Sequence, residues 1–302
     1  MIKRQLTAMK KIDASSTVKP NIDRIVEKID EISTLPPVLH RVLSLTADPN
    51  ARADQLQNIL QTDPALTAKI LKVANSAYYG ATQQVTSIRH AIIFLGFSTV
   101  RNLAMATSIC DMFKSAEVIN AYSREELWKH SIIVALFAQS ISQRSGAGIG
   151  ADIFTAGILH DIGIIMEDQY FHDDFTVIIQ DELLAAGGLT SAEKSCFGFD
   201  HAELGSRVTH RWRIPEEIVQ VIKYHHKPLQ APESYRRSAC IAFLADVICS
   251  AKKVGYAPQK NAEKADIAGA MEILKFSKED VVVAVQELPR LLEKARQFFI
   301  SA

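Results

Sequence analysis

The chain has 302 residues, of which 48% are hydrophobic, 23% charged and 7% aromatic, an ordinary globular balance that excludes disordered, collagenous and coiled-coil rod classes. Its 34 Lys and Arg residues offset 34 Asp and Glu, so no global field draws it to phosphate backbones or anionic membranes. The longest apolar runs, such as Ala-Ile-Ile-Phe-Leu-Gly-Phe at 91–97, fall short of the roughly 18 residues a membrane span needs.

Residues 1–21 are basic and lack the apolar stretch of a secretory signal, so they read as a flexible extension and the expected address is the cytoplasm. Helical spacing takes over from there. Helices are expected at 22–32, at 37–47 behind Pro36-Pro37 and stopped by Asp48-Pro49, and at 53–61. Asp63-Pro64 then starts a helix carrying Leu66, Ile70, Leu71 and Ala74 on one face, ended over 75–80. Further helices are expected at 89–95 and, capped by Ser98, to 113. A Ser123/Glu126 capping box opens a long helix to 144, stopped by the Gly-rich 145–150 stretch. Helices at 151–168, 171–186, 191–197, 201–213 behind an Asp200/Glu203 box, 215–224 and 235–251 follow. A C-terminal pair ends with 278–299, kinked at Pro289. No Asn-Gly or Asp-Gly joins two alternating apolar runs, so the fold class is all-α. Its expected organisation is an N-terminal helical lobe over 22–118 and a second over 119–302. Cys110, Cys196, Cys240 and Cys249 contain no CxxC pair and read as reduced thiols.

Five of the nine histidines form one ordered series with two aspartates: His130, His160-Asp161, His201, His225-His226 and Asp246. His130 shares a helix face with Leu127, Val134, Phe137 and Ile141, which points its ring at the core. Asp161 and Asp246 stand in apolar runs, where an unpaired ionised carboxylate costs several kcal/mol. Imidazoles and carboxylates converging from different helices are accommodated by a divalent cation whose charge offsets the acids, and this set could hold one or two ions. Mixed His/Asp ligation suits iron, manganese or zinc better than magnesium or calcium, and a pair of such ions with a bridging hydroxide can attack phosphorus. Taken singly, each of these histidines is more often a hydrogen-bonded core residue than a ligand, and the ordered set carries the signal. His40, His90, His172 and His210 have no such companions and read as structural or surface residues.

The order His, His-Asp, His, His-His, Asp resembles the ligand series of HD-superfamily phosphohydrolases, in particular the HD-GYP branch that hydrolyses cyclic-di-GMP. Two departures count against that activity. The His-Asp-x-Gly-Lys motif of the enzymes here ends in Ile164, and Lys227-Pro228-Leu229-Gln230 follows His225-His226 with no Gly-Tyr-Pro. In the N-terminal half, Leu35-Pro36-Pro37-Val38-Leu39, Asp63-Pro64-Ala65-Leu66, Ala74-Asn75-Ser76-Ala77-Tyr78-Tyr79-Gly80 and Leu95-Gly96 resemble the HDOD family of bacterial signalling proteins. That resemblance implies an all-helical relative of HD hydrolases with no generally established enzymatic activity, acting in regulatory assemblies through a signalling partner.

Physically, the N-terminal motifs cap and fill. Asn75 and Ser76 read as backbone caps, while Tyr78 and Tyr79 suit either a cleft or a partner surface. Arg89, Arg101 and Lys223 are the basic residues to examine for anion contacts. The expected function is therefore a noncatalytic signalling module with a retained HD-type metal pocket formed by His130, His160, Asp161, His201, His225, His226 and Asp246. The alternative is a metal-dependent phosphohydrolase acting on a nucleotide or cyclic dinucleotide, with Asp161 and a metal-bound hydroxide at the reacting centre. Balanced charge and the lack of a recognition-helix motif give no support to nucleic-acid binding.

Overall fold

The computed structural model describes residues 22–32, 37–46, 50–76, 79–146, 152–181, 188–256 and 262–300. The expected N-terminal extension, Pro36, the Asp48-Pro49 stop, Tyr78 and the end of the Gly-rich stop lie outside the described residues. Among the described residues the fold is all-α apart from one hairpin of two-residue strands.

The first helices are α1 (Ile22–Ile32), α2 (Pro37–Thr46), α3 (Ala53–Leu60), α4 (Pro64–Ala74), α5 (Ile88–Leu95) and α6 (Phe97–Ile109). Side chains at their ends satisfy the backbone donors that a helix terminus leaves unpaired. Asp63 accepts from Leu66 N at 3.0 Å with Pro64 in the first turn, and Ser87 accepts from His90 N at 3.1 Å. Asn75 joins the end of α4 to Val85 in both directions, at 2.8 and 2.7 Å. Ser76 does not cap: its hydroxyl is buried without a partner. Nor does Ser98 cap α6, because Gly96, at φ 86°, turns the chain two residues earlier. That helix ends at Ile109 and tightens into a 3-10 turn over Cys110–Phe113. Helices α2 to α6 bury Leu39, Leu56, Leu60, Ile70, Ile88 and Val100 among themselves.

A hairpin, β1 (Val118–Ile119) and β2 (Tyr122–Ser123), turns through Asn120 at φ 52° and leads into α7 (Arg124–Arg144). Asn tolerates this left-handed conformation, but Asn-Ala lacks the glycine that marks such turns in a sequence. Ser123 accepts from Glu126 N at 3.1 Å, while Glu126 turns to Lys129, so only half the box forms. Asp200 likewise accepts from Glu203 N at 2.9 Å.

The remaining helices are α8 (Asp152–Leu159), α9 (Ile162–Tyr170), α10 (His172–Asp181), α11 (Leu189–Cys196), α12 (His201–Arg211), α13 (Glu216–Tyr224), α14 (Glu233–Ala251), α15 (Lys264–Leu274), α16 (Lys278–Gln286) and α17 (Leu288–Ile300). Two expected helices are broken in two. The segment expected as one helix over 151–168 breaks at His160-Asp161, and the expected C-terminal helix breaks at Glu287 rather than kinking at Pro289. A helix needs no amide donor in its first turn, so Pro289, the second residue of α17, costs no hydrogen bond.

Helices α7 and α14 are buried on most sides, so neither shows a clear amphipathic stripe. They lie against each other and against α8, while α9 and α13 flank α12. Helix α6 packs on α8, and α1 packs on α12. One polar junction ties the hairpin segment to α7, α9 and α10. Asp168 accepts from Tyr122 Oη at 2.8 Å, Arg124 Nε at 2.5 Å and His172 Nδ1 at 2.9 Å, and His172 Nε2 reaches Glu117 at 3.1 Å.

Candidate metal centre

The seven residues of the ordered series lie on five separate pieces of chain: α7 (His130), the α8–α9 break (His160 and Asp161), the first turn of α12 (His201), the end of α13 (His225 and His226) and α14 (Asp246). All are at most 2% exposed except His226, which is partly buried.

Two glycines make this convergence sterically feasible. A Cβ on Gly163 would fall 1.9 Å from the carbonyl oxygen of His201, so only glycine lets α9 touch the start of α12. Gly255, at φ 65°, lies so close to α7 that a Cβ would meet Glu126 O at 2.4 Å and His130 N at 2.7 Å. This brings the carbonyl of Val254 to His130 Nδ1 at 3.1 Å.

Four imidazoles share one design. In each, Nδ1 faces an acceptor: Val254 O for His130, Gly157 O at 2.7 Å for His160, the Glu193 carboxylate at 2.8 Å for His201, and Ile222 O at 2.6 Å for His225. These acceptors receive a hydrogen bond from Nδ1–H, which places the proton on Nδ1 and leaves the Nε2 lone pairs facing inward. There they meet carboxylate oxygens. His130 Nε2 lies 3.0 Å from Asp246 Oδ1, His160 Nε2 3.1 Å from Asp161 Oδ2, and His201 and His225 Nε2 each 3.4 Å from Asp161 Oδ1. His160 Nε2, His225 Nε2 and Asp161 Oδ1 are buried without a hydrogen-bond partner. Lone pair facing lone pair is repulsive, so the core requires either extra protons or a cation at its centre.

The titration tendencies express the same demand. Burial alone would lower His160 and His201, but Asp161 and, for His201, Glu193 outweigh it and raise both. Burial alone would raise Asp161, yet His160, His201 and His225 hold it well below the usual carboxylate range. Asp246 is lowered mainly by His130, against its own burial. His226 is depressed well below the ordinary histidine value by burial and by the neighbouring His225 and His201.

Two donor groups could each hold a metal ion, Asp161 with His201, His225 and His226, and Asp161 with His130 and His160, the donor atoms of each lying within 4.8 Å of one another. Asp161 belongs to both. Asp246 belongs to neither, its Oδ1 taken by His130 and by Ser250 Oγ at 3.1 Å. The donor set is all imidazole and carboxylate, which fits iron, manganese or zinc. Ile164, at the position of the enzymes' lysine, is wholly buried.

Of the basic residues singled out by sequence, Arg89 and Lys223 are exposed, Lys223 near the ring of Tyr224, while Arg101 is buried in α6. Sequence reasoning missed Glu193, which is wholly buried against His201. Its signal was there to read: Leu189, Glu193, Cys196 and Phe197 follow helical spacing, and an acid on that stripe needs a partner.

The HDOD domain family profile matches residues 32–228. The chain is 26% identical over 192 residues to an uncharacterized protein of Treponema pallidum (strain Nichols), an alignment covering 63% of this chain and 36% of that protein, so the chain spans about a third of that relative's length. Among solved structures it is similar to an HDOD domain protein with unknown function from Geobacter sulfurreducens, with TM-score 0.79, 25% identity and 99% of both chains covered. It also shares its fold with a candidate signal transduction protein from Marinobacter aquaeolei VT8, with TM-score 0.72, 19% identity, and 99% and 63% covered. A candidate phosphohydrolase from Shewanella amazonensis SB2B has the same fold, with TM-score 0.69, 23% identity, and 91% and 97% covered. With the profile matching well over half of its residues and both halves folded as described, the chain belongs to the HDOD domain family.

Proposed function

We propose that this chain is a noncatalytic signalling module whose His/Asp core holds one or two transition-metal ions as a structural or sensory centre. One observation carries the reading: six of the seven donor residues are at most 2% exposed. A dinucleotide could not touch them unless helices moved apart. Ile164 fills with hydrocarbon the position from which a lysine would face substrate phosphate, so no charge is supplied there. In this reading, His201, His225 and His226 would hold one ion and His130 and His160 another, with Asp161 offered to both. The output passes through the outer helix faces to a protein partner. Burial pushes the Cys240 thiol up to about 12, which keeps it protonated and unreactive.

A second reading, a metal-dependent phosphohydrolase acting on a nucleotide or cyclic dinucleotide, is favoured by one specific feature. A single carboxylate shared by two donor groups is the arrangement of two-metal phosphoester hydrolases. There, a bound metal would supply Lewis acidity and an activated water, and the partly exposed His226 edge is where substrate would approach.

Elemental analysis of untagged, anaerobically purified protein tests the first reading. Iron, manganese or zinc should be present and should disappear in His160→Ala and Asp161→Ala; unchanged metal content in both variants rules the centre out. Cyclic-di-GMP should not turn over with any of these metals supplied. Hydrolysis that Asp161→Ala abolishes would establish the second reading instead.

A further inference from the structure

Helix α11 carries none of the seven residues of the ordered series, yet its last turns grip the start of α12 at several points. The Glu193 carboxylate accepts from His201 N at 3.0 Å and from His201 Nδ1 at 2.8 Å. Lys194 pairs at 2.6 Å with Asp200, the residue that caps α12. Backbone donors in a first turn have no intrahelical acceptor, so a carboxylate placed there is favoured by both hydrogen bonding and the helix dipole. Glu193 therefore fixes the backbone and the ring of the same residue. It is wholly buried, and no lysine or arginine pairs with it among the described residues. The three other inward-facing imidazoles give Nδ1 to a neutral backbone carbonyl, three residues back for His160 and His225 and on the segment after α14, at Val254, for His130. His201 alone depends on a charged side chain from another helix.

We propose that Glu193 is the positioning residue of the metal centre and that, through it, metal occupancy and the docking of α11 are one linked equilibrium. The inference rests on the metal-binding reading above and goes beyond it by naming the element that reports occupancy. A carboxylate on the far nitrogen of a ligating histidine fixes the tautomer and raises ligand basicity, and its loss costs metal affinity roughly 10–100-fold in comparable sites. Linkage is reciprocal: if docked α11 tightens metal binding by some factor, bound metal must hold α11 docked more strongly by the same factor. Helix α11 is short and packs chiefly on α10, the kind of unit that can open on its own below the global unfolding free energy.

The test uses the full chain and Co(II) alone as probe. Wild-type protein should bind Co(II), and Glu193→Gln should bind it about 10–100-fold more weakly. Amide exchange over 189–196 should slow on Co(II) addition by a comparable factor in the wild type and hardly at all in Glu193→Gln. Nitrogen chemical shifts of the His201 ring should report an Nδ1-protonated ring in the wild type and a tautomer mixture in the variant, a readout that a merely structural glutamate would not move. Equal Co(II) affinity in both proteins, or exchange over 189–196 that ignores Co(II) while residues 157–162 slow, would overturn the inference and leave the metal centre standing. A wild type that takes up no Co(II) would overturn both. If Glu193→Gln fails to fold, the exchange measurement on the wild type alone decides the matter.

Discussion

Helices α2 to α6 and the bundle around α7 and α14 draw on the same apolar residue types, but they use polar side chains in opposite ways. In the first region polar groups work at helix ends: Asp63 and Ser87 cap, and Asn75 bridges to Val85, all at or near the surface. Its interior is hydrocarbon around Leu56, Leu60 and Ile70, all wholly buried, and its buried polar exceptions, Arg101, Asn102 and Thr107, all belong to α6. In the second region the ionisable residues lie at the centre, where His130, His160, His201 and His225 are also wholly buried. The first arrangement gains from burial alone, at roughly 25 cal/mol per Å² of apolar surface removed from water. The second gives up part of that gain, because desolvated charges need partners. A core that accepts this cost is built for what it binds, and the N-terminal helices are the scaffold that keeps α8 in place through α6.

The contrast predicts which changes should affect stability and which should affect metal. Leu56→Ala should cost about 2–5 kcal/mol in urea unfolding of purified protein while metal content per folded chain stays at the wild-type value; a loss of metal would mean that the two regions are not separable in this way. Gly163→Ala should cost about 1–3 kcal/mol, since its Cβ must displace the His201 carbonyl, and it should also abolish metal loading. Loading at the wild-type level would show that the α9–α12 contact does not position His201. Asp63→Ala should lose about 1 kcal/mol by urea unfolding, as N-cap deletions do, and leave metal unaffected.

The smallest effect belongs to the polar junction around Asp168, which lies outside both regions. Burial lowers the pKa of His172, but its bonds to Asp168 and Glu117 outweigh that and raise it. Its contribution to stability is thus complete below the ordinary histidine value of about 6.5 and is lost as pH rises through the higher folded value. The side chain is 41% exposed, so screening should hold the effect below about 1 kcal/mol. Proton NMR titration should place the His172 transition above that of a model histidine, and His172→Gln should flatten the fall of Tm over the same range. An unshifted titration would mean that the Glu117 contact does not persist in solution.

Helix positions were legible because capping chemistry and apolar spacing act within a few residues. Asp63-Pro64, Ser123 and Asp200 start helices in the structure as their side chains require. What failed depends on distant partners. The break at His160-Asp161 cannot be seen locally, since the run from Ile158 to Met166 is continuously apolar around it. The turn opens because His160 Nδ1 folds back to Gly157 O and Gly163 seats on His201. Ser76 resembles a cap by residue type, and its hydroxyl was nonetheless buried by the surrounding helices without a partner.

By itself the sequence determined the all-α class, most helix starts and the ordered set of five histidines and two aspartates, because those follow from period, capping and the cost of burying charge. Tertiary structure alone decided that Asp161, not Asp246, is common to both donor groups, that four imidazoles turn Nε2 inward, and that Glu193 stands behind His201. Which acceptor takes an Nδ1 proton depends on carbonyls and carboxylates that only the packing of separate helices brings within hydrogen-bond reach.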